Sequence, residues 1–197
     1  MKGEAFLLAV VIISVALVAM FQPMRNEYLV KQKQLLQNEL ILYIFKNIFN
    51  EIKNSIYFSY DSFDSMILNS YDFLNFSRKV ANQKTMNFKS LVIVAQANET
   101  GYLNVTAINF LSESLLLNLT FNNTQNSTLL LGQYSINSTN FTYTPGNSYN
   151  LTIQYENVER SIDIETFANK KVFLAYVDVS LSHLEEIRRN IEYFFMS

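Results

Sequence analysis

Leu115-Leu116-Leu117-Asn118-Leu119-Thr120-Phe121 decides the fold. The odd positions are all apolar, and Asn118 and Thr120 occupy even ones. Side chains of a strand alternate between two faces, so this segment buries one face and wets the other. Downstream, Thr144-Pro145-Gly146-Asn147 puts Pro and Gly where a type II turn wants them. Beyond that turn Tyr149, Leu151, Ile153 and Tyr155 alternate with Asn150, Thr152 and Gln154. Leu91 to Ala95 is a continuous apolar run, and Ser161–Phe167 and Lys171–Ser180 read as two further strands. About seven or eight strands joined by short Asn/Gly/Ser/Thr turns predict an antiparallel β-sandwich starting near Asn87.

Outside this region the apolar period lengthens. From His183 to Met196, Leu184, Ile187, Ile191 and Phe194/Phe195 recur at helical spacing and predict a short C-terminal helix. On the N-terminal side Tyr28, Leu35, Leu42, Phe49 and Ile56 recur every seventh residue, with Phe45 and Ile52 between them. Lys31, Lys33, Gln34, Asn38, Glu39, Lys46, Asn50 and Lys53 fill the opposite side. This is the pattern of an amphipathic helix of about 30 residues, roughly 45 Å long. A second helix is expected from about Asp61 to Asn82, with Met66, Ile67, Tyr71, Leu74 and Val80 as its apolar stripe and Ser59 or Asp61 as its cap. Pro23 interrupts the helical run ahead of the amphipathic half.

Ala5 to Phe21, AFLLAVVIISVALVAMF, contains only Ser14 as a polar residue and no charge. It lies at the short end of the roughly 17–25 residues that cross a bilayer as a helix. The sequence thus predicts an α+β chain. A long N-terminal helix, with a membrane half and an amphipathic half, leads to an antiparallel β-sandwich and a short C-terminal helix. The expected divisions are a leader and anchor over residues 1–22, a helical stalk over 23–84, and an extracytoplasmic sandwich with its C-terminal helix over 85–197.

Composition excludes several chemistries. The net charge is -2 and the Lys and Arg residues are scattered, so no nucleic-acid partner is expected. The chain has no Cys, hence no disulfide, thiolate nucleophile or zinc–thiolate site. His183 is the single histidine, at an expected helix start beside Ser182, where a capping or surface role fits it. There is no HExxH and no glycine-rich phosphate loop. Asp61 and Asp64, or Asp163, Glu165 and Asp178, supply oxygen ligands suited to calcium but lack EF-hand spacing. Catalytic, cofactor-binding and metal residues are therefore unassigned, no cofactor is expected, and the expected role is non-enzymatic.

Asn-x-Ser/Thr occurs at Asn75, Asn98, Asn104, Asn118, Asn122, Asn126, Asn137, Asn140 and Asn150, nine times where random placement gives roughly three or four. Between Gly101 and Tyr155 Glu113 is the single charged residue. An Asn/Thr-rich strand face generates this spacing by itself, since i and i+2 share a face. Asn is nonetheless disfavoured in strands, which leaves its choice here unexplained by that route. The nine asparagines are therefore expected N-glycosylation sites on an extracytoplasmic domain. The charge count across Ala5–Phe21 points the other way. Lys2 and the amino terminus precede it, and Arg25, Lys31 and Lys33 follow.

Lys2-Gly3-Glu4 directly before an unbroken apolar helix resembles the class III signal of archaeal type IV pilin-like proteins, including the archaellum-associated ones. The resemblance covers about residues 1–58 in architecture and three residues in motif. It implies cleavage between Gly3 and Glu4, a retained helix that is stored in the membrane and then associates with other pilin-like subunits, and a glycosylated β-domain outside the cell. The implied role is a subunit or minor component of a surface filament. A scaffold bound to the membrane and contacting the S-layer or another surface protein is the alternative. Two departures stand out. Bacterial-type pilins carry Glu at the fifth mature position, which here is Leu8. The common archaeal Gln and Ser around the cut are missing. An uncleaved anchor, or a secretory signal cut near Ser14-Val15-Ala16, uses the same residues differently.

Overall fold

The structure is a computed structural model that describes residues 2–184 and 186–196, with side chains from residue 27 onward. The chain divides into two units, residues 1–43 and 44–197. Helix α1 is assigned to Lys2–Tyr57, and α2 follows at Phe63–Gln83. Nine strands come next: β1 (Asn87–Ala97), β2 (Tyr102–Asn109), β3 (Leu115–Phe121), β4 (Gln125–Leu131), β5 (Ser135–Thr142), β6 (Ser148–Tyr155), β7 (Val158–Glu165), β8 (Val172–His183) and β9 (Glu186–Met196).

The strands form two sheets whose paired strands are all antiparallel, one ordered β5-β2-β1-β8-β9 and the other β4-β3-β6-β7. The alternation read from Leu115–Phe121 holds residue by residue. Leu115, Leu117, Leu119 and Phe121 are buried, while Leu116 and Asn118 are exposed. Their inward side chains meet Leu91, Ile93, Ala95, Leu103, Val105, Leu151, Ile153, Ile162, Ile164 and Leu174 in one core between the sheets. Burying each such leucine or isoleucine stabilises the fold by roughly 1.5–3 kcal/mol.

β1 and β8 are apolar on both faces because the five-stranded sheet is covered twice. Helix α2 lies over β1 and β2. Its N-cap is Ser62, whose Oγ accepts from the Ser65 amide, one to three residues past the expected Ser59 or Asp61. Tyr71 meets the Phe110 ring edge-on at 5.3 Å. The last turns of α1 lie over the β8–β9 side. Lys53 Nζ is 2.6 Å from Glu192 Oε1 and 5.5 Å from the centre of the Phe194 ring. The buried face of these turns is Phe45, Ile48, Phe49, Ile52 and Ile56. These side chains follow the 3.6-residue period; the expected heptad positions Tyr28 and Leu35 are exposed.

Two glycines are required by their turns. Gly101 has φ +86, and a Cβ there would sit 2.4 Å from the Tyr143 carbonyl oxygen. Gly146 has φ +90, as the third residue of a type II turn demands.

Three expectations are corrected. The protein is mostly β, two antiparallel sheets with two helices, and not the α+β chain expected. The expected division of that helix into a membrane half and an amphipathic half is not shown, because the side chains of residues 2–26, and with them Ala5–Phe21, lie outside the described residues. Second, Glu186–Met196 is not a C-terminal helix but strand β9, paired along its whole length with β8. Third, the expected single-pass membrane location is overturned: among the described residues no helix is long and apolar enough to cross a membrane.

Candidate functional site

The nine candidate asparagines fall into distinct environments. Asn118, Asn126 and Asn150 stand on the outer face of the four-stranded sheet, where the ladder sets Asn118 opposite Thr128, Thr120 opposite Asn126 and Asn150 opposite Asp163. Asn122 is in the β3–β4 turn with φ 51, a left-handed conformation that Asn tolerates better than most residues. Asn104 and Asn140 face each other across β2 and β5. They line a cavity of about 530 Å³ with Phe63, Asp64 and Ile67 of α2. Asn137 is on β5, Asn98 follows β1, and Asn75 is inside α2. Gly3 and Glu4 lie outside the residues whose side chains are described.

Hydrogen bonding sorts these sites, because glycan transfer uses the amide nitrogen and needs the downstream hydroxyl accessible. Asn150 Nδ2 donates to Asp163 Oδ1 at 3.0 Å, and its Oδ1 accepts from Ser161 at 2.7 Å and Thr152 at 3.1 Å. Asn137 Nδ2 donates to the Leu130 carbonyl at 3.3 Å. Thr106, the hydroxyl residue of the Asn104 site, is buried and shares a 2.9 Å hydrogen bond with Ser138. Ser77, serving Asn75, is buried too. Asn98, Asn118, Asn122, Asn126 and Asn140 have neither obstruction. Asn98 is pre-shaped, since its Oδ1 accepts from the Thr100 amide, the Thr100 hydroxyl and the Tyr102 amide.

A second constellation is buried. Asp178 of β8 points between the sheets with its side chain 3 % exposed. Arg189 of β9 donates to it twice, Nε to Oδ1 at 3.0 Å and Nη2 to Oδ2 at 2.5 Å. Tyr155 of β6 donates to Oδ2 at 2.5 Å and shares a 2.8 Å hydrogen bond with Tyr176 of β8. Burial first, and then the Asp178 charge and hydrogen bond, push the Tyr155 hydroxyl far above the ordinary tyrosine range. Burial also raises Tyr176. The hydrogen bond to Asp178, against the opposing effect of burial, raises Arg189 and keeps it firmly charged. Both hydroxyls stay protonated at neutral pH, and the network ties β6 to β8 and β9. Lys89, Glu113, Glu156 and Ser180 join Asp178 and Arg189 around an adjoining cavity of about 180 Å³.

No family model, curated protein or solved structure matches the chain.

The carboxylates considered for calcium are not brought together. Asp163 is on the outer sheet face bound by Asn150, and Asp178 faces inward bound by Arg189. Among the described residues no group of three or more His, Cys, Asp or Glu side chains is placed to hold a metal. His183 ends β8 instead of starting a helix, and its Nδ1 lies 3.1 Å from the Thr85 carbonyl oxygen. The Tyr155–Asp178–Arg189 network was not foreseen as a unit. Its signal was one carboxylate inside the apolar run Val172-Phe-Leu-Ala-Tyr-Val-Asp178-Val179. A charge in such a strand requires a cation close by in space.

Proposed function

We propose that this chain is a structural protein, a pilin-like subunit or minor component of a filament of the archaeal type, carrying N-linked glycans on its sandwich. One observation carries the reading: Lys2-Gly3-Glu4 stands directly before the uncharged run Ala5–Phe21. Two others support it. An antiparallel β-sandwich follows the helices, as the resemblance implies for the body of such a subunit. The segment from Gly101 to Tyr155 is solvated by Asn, Ser and Thr in place of charge.

In this reading the N-terminal helix associates with its counterparts in neighbouring subunits, and glycans attach at the five unobstructed asparagines. The test is the N-terminal peptide mass of the protein from its native host, with glycopeptide mapping of the same sample. A chain beginning at Glu4 is expected, with glycan at Asn98, Asn118, Asn122, Asn126 or Asn140. A chain beginning at Met1 overturns the filament role and leaves a scaffold for another envelope protein, such as the S-layer. Nine unmodified asparagines overturn the glycan-bearing role.

A further inference from the structure

Strand β9 closes one side of the five-stranded sheet, and among the described strands it is hydrogen-bonded to β8 alone. In an antiparallel ladder every second residue turns its N–H and C=O away from the neighbour, so an outermost strand presents a row of unpaired groups. Such an edge is a template for another strand unless it is short, kinked or guarded by charge. β9 is eleven residues long and contains no Pro or Gly. Ile187, Tyr193 and Phe195 on it are 69 %, 48 % and 42 % exposed. Its guards are Glu186, Arg188, Arg189 and Glu192.

We propose that β9 pairs antiparallel with β9 of a second copy of this chain, joining two five-stranded sheets into one. The guarding charges select the second copy and the register. Pairing centred on Asn190 sets Arg188 opposite Glu192 of the second copy and Ile187 opposite its Tyr193, each twice by symmetry. Directly opposed residues of unlike charge stabilise a pair of strands, and like charges disfavour it. Centring on Arg189 opposes that arginine to itself and Glu186 to Glu192. Centring on Glu192 opposes it to itself, and centring on Ile191 opposes no two charged residues. One register of these four is therefore charge-complementary. Arg188 and Glu192 are each 39 % exposed and have an open side to offer. Their existing partners, Glu186 for Arg188 and Lys53 for Glu192, make each copy's cluster neutral. Pairing also covers Ile187 and Tyr193. The inference uses only strand β9 and stands apart from the filament reading.

The chain has no cysteine, so a single engineered thiol reports the contact cleanly. Asn190→Cys in the full-length chain places one thiol on the two-fold axis. Opposed strand residues there are separated by roughly 4.5–5.5 Å, within the span of a disulfide. Mild oxidation is expected to give a covalent dimer roughly a hundredfold faster than Asn126→Cys on β4, because the paired thiols meet at high effective concentration. Adding Arg188→Glu is expected to abolish this advantage while the variant keeps a cooperative thermal transition, which separates lost pairing from lost folding. The proposal is overturned if Asn190→Cys crosslinks no faster than Asn126→Cys, or if the charge reversal leaves its rate unchanged.

Discussion

The two lateral seams of the sandwich are built from different chemistry. Where β4 and β5 meet, neutral side chains close the gap at the rim. Gln125 donates to the Thr142 carbonyl at 2.6 Å and accepts from the Thr142 amide at 3.0 Å. Ser127 donates to Thr139 at 2.9 Å and Asn137 reaches the Leu130 carbonyl. These bonds satisfy groups that an edge strand would otherwise offer to a stranger. On the opposite side, among the described residues, no such hydrogen bonds join β7 to β9. A cavity of about 610 Å³ lined by Phe167, Lys170, Val172 and Phe195 stands there, and the interior Tyr155–Asp178–Arg189 network ties the sheets together. One seam is laced by several weak bonds at the surface and the other is held by one strong cluster at depth. A laced edge is finished, while an edge held from inside is free to add a strand.

That contrast can be broken most sharply at Asp178. Replacing it by Ala leaves the Tyr155 hydroxyl and Arg189 without their shared acceptor. The expected loss is about 3 kcal/mol, the scale of a broken buried ion pair. For a chain of this size that lowers Tm by roughly 10 °C, read by thermal unfolding. Alkaline titration probes the same cluster without mutation. Tyr155 and Tyr176 have folded pKa values raised above the ordinary 10.0. Their stabilising effect is complete below pH 10, where both states bind the proton. As pH rises beyond 10, the unfolded chain releases protons that the folded chain keeps. Stability therefore falls by up to ~1.4 kcal/mol per pH unit for each tyrosine, and Tyr155→Phe removes one such increment from the slope of stability against pH. At the laced seam Gln125→Ala should be milder, about 1 kcal/mol for the two lost bonds. Its signature is faster hydrogen exchange at the Thr142 amide with the Asp178 network undisturbed. The smallest effect is a gain. Leu184, between β8 and β9, has φ 54 and an exposed side chain. Leu184→Gly relieves that conformation, for a net gain of about 0.5 kcal/mol in chemical denaturation.

The same cluster explains where the sequence was legible and where it was not. β3 and β6 could be read because strict alternation left one face wholly apolar, and α2 because Met66 and Leu74 of its expected stripe are buried, although its cap is Ser62 and not Ser59 or Asp61. β5 shows no such alternation: its Asn, Ser and Thr residues are exposed or half-exposed on both faces, with Phe141 alone buried. The misreading of Glu186–Met196 has a specific cause. Ile187, Ile191, Tyr193 and Phe195 share a face, but the inward position between the first two is Arg189. That one charge hides the two-residue period and leaves Leu184, Ile187, Ile191 and Phe194 to imitate a helix. Arg189 is there because Asp178 lies across the ladder and needs a cation, a long-range requirement that no local pattern carries. The candidate asparagines were all visible as spacing. Which of them are free depended on partners such as Asp163 and Ser138, which only the register reveals.

Five consecutive strands, β2 to β6, contain no charged residue, and Glu113 in a connection is the sole charge in the whole stretch. Such a surface gathers no counter-ions and has almost nothing to titrate. Electrostatic screening has almost nothing to act on there, and acid almost nothing to protonate. An association made through those strands would not be weakened by charge screening, whereas one made through the Arg- and Glu-bearing β9 would weaken as salt is added.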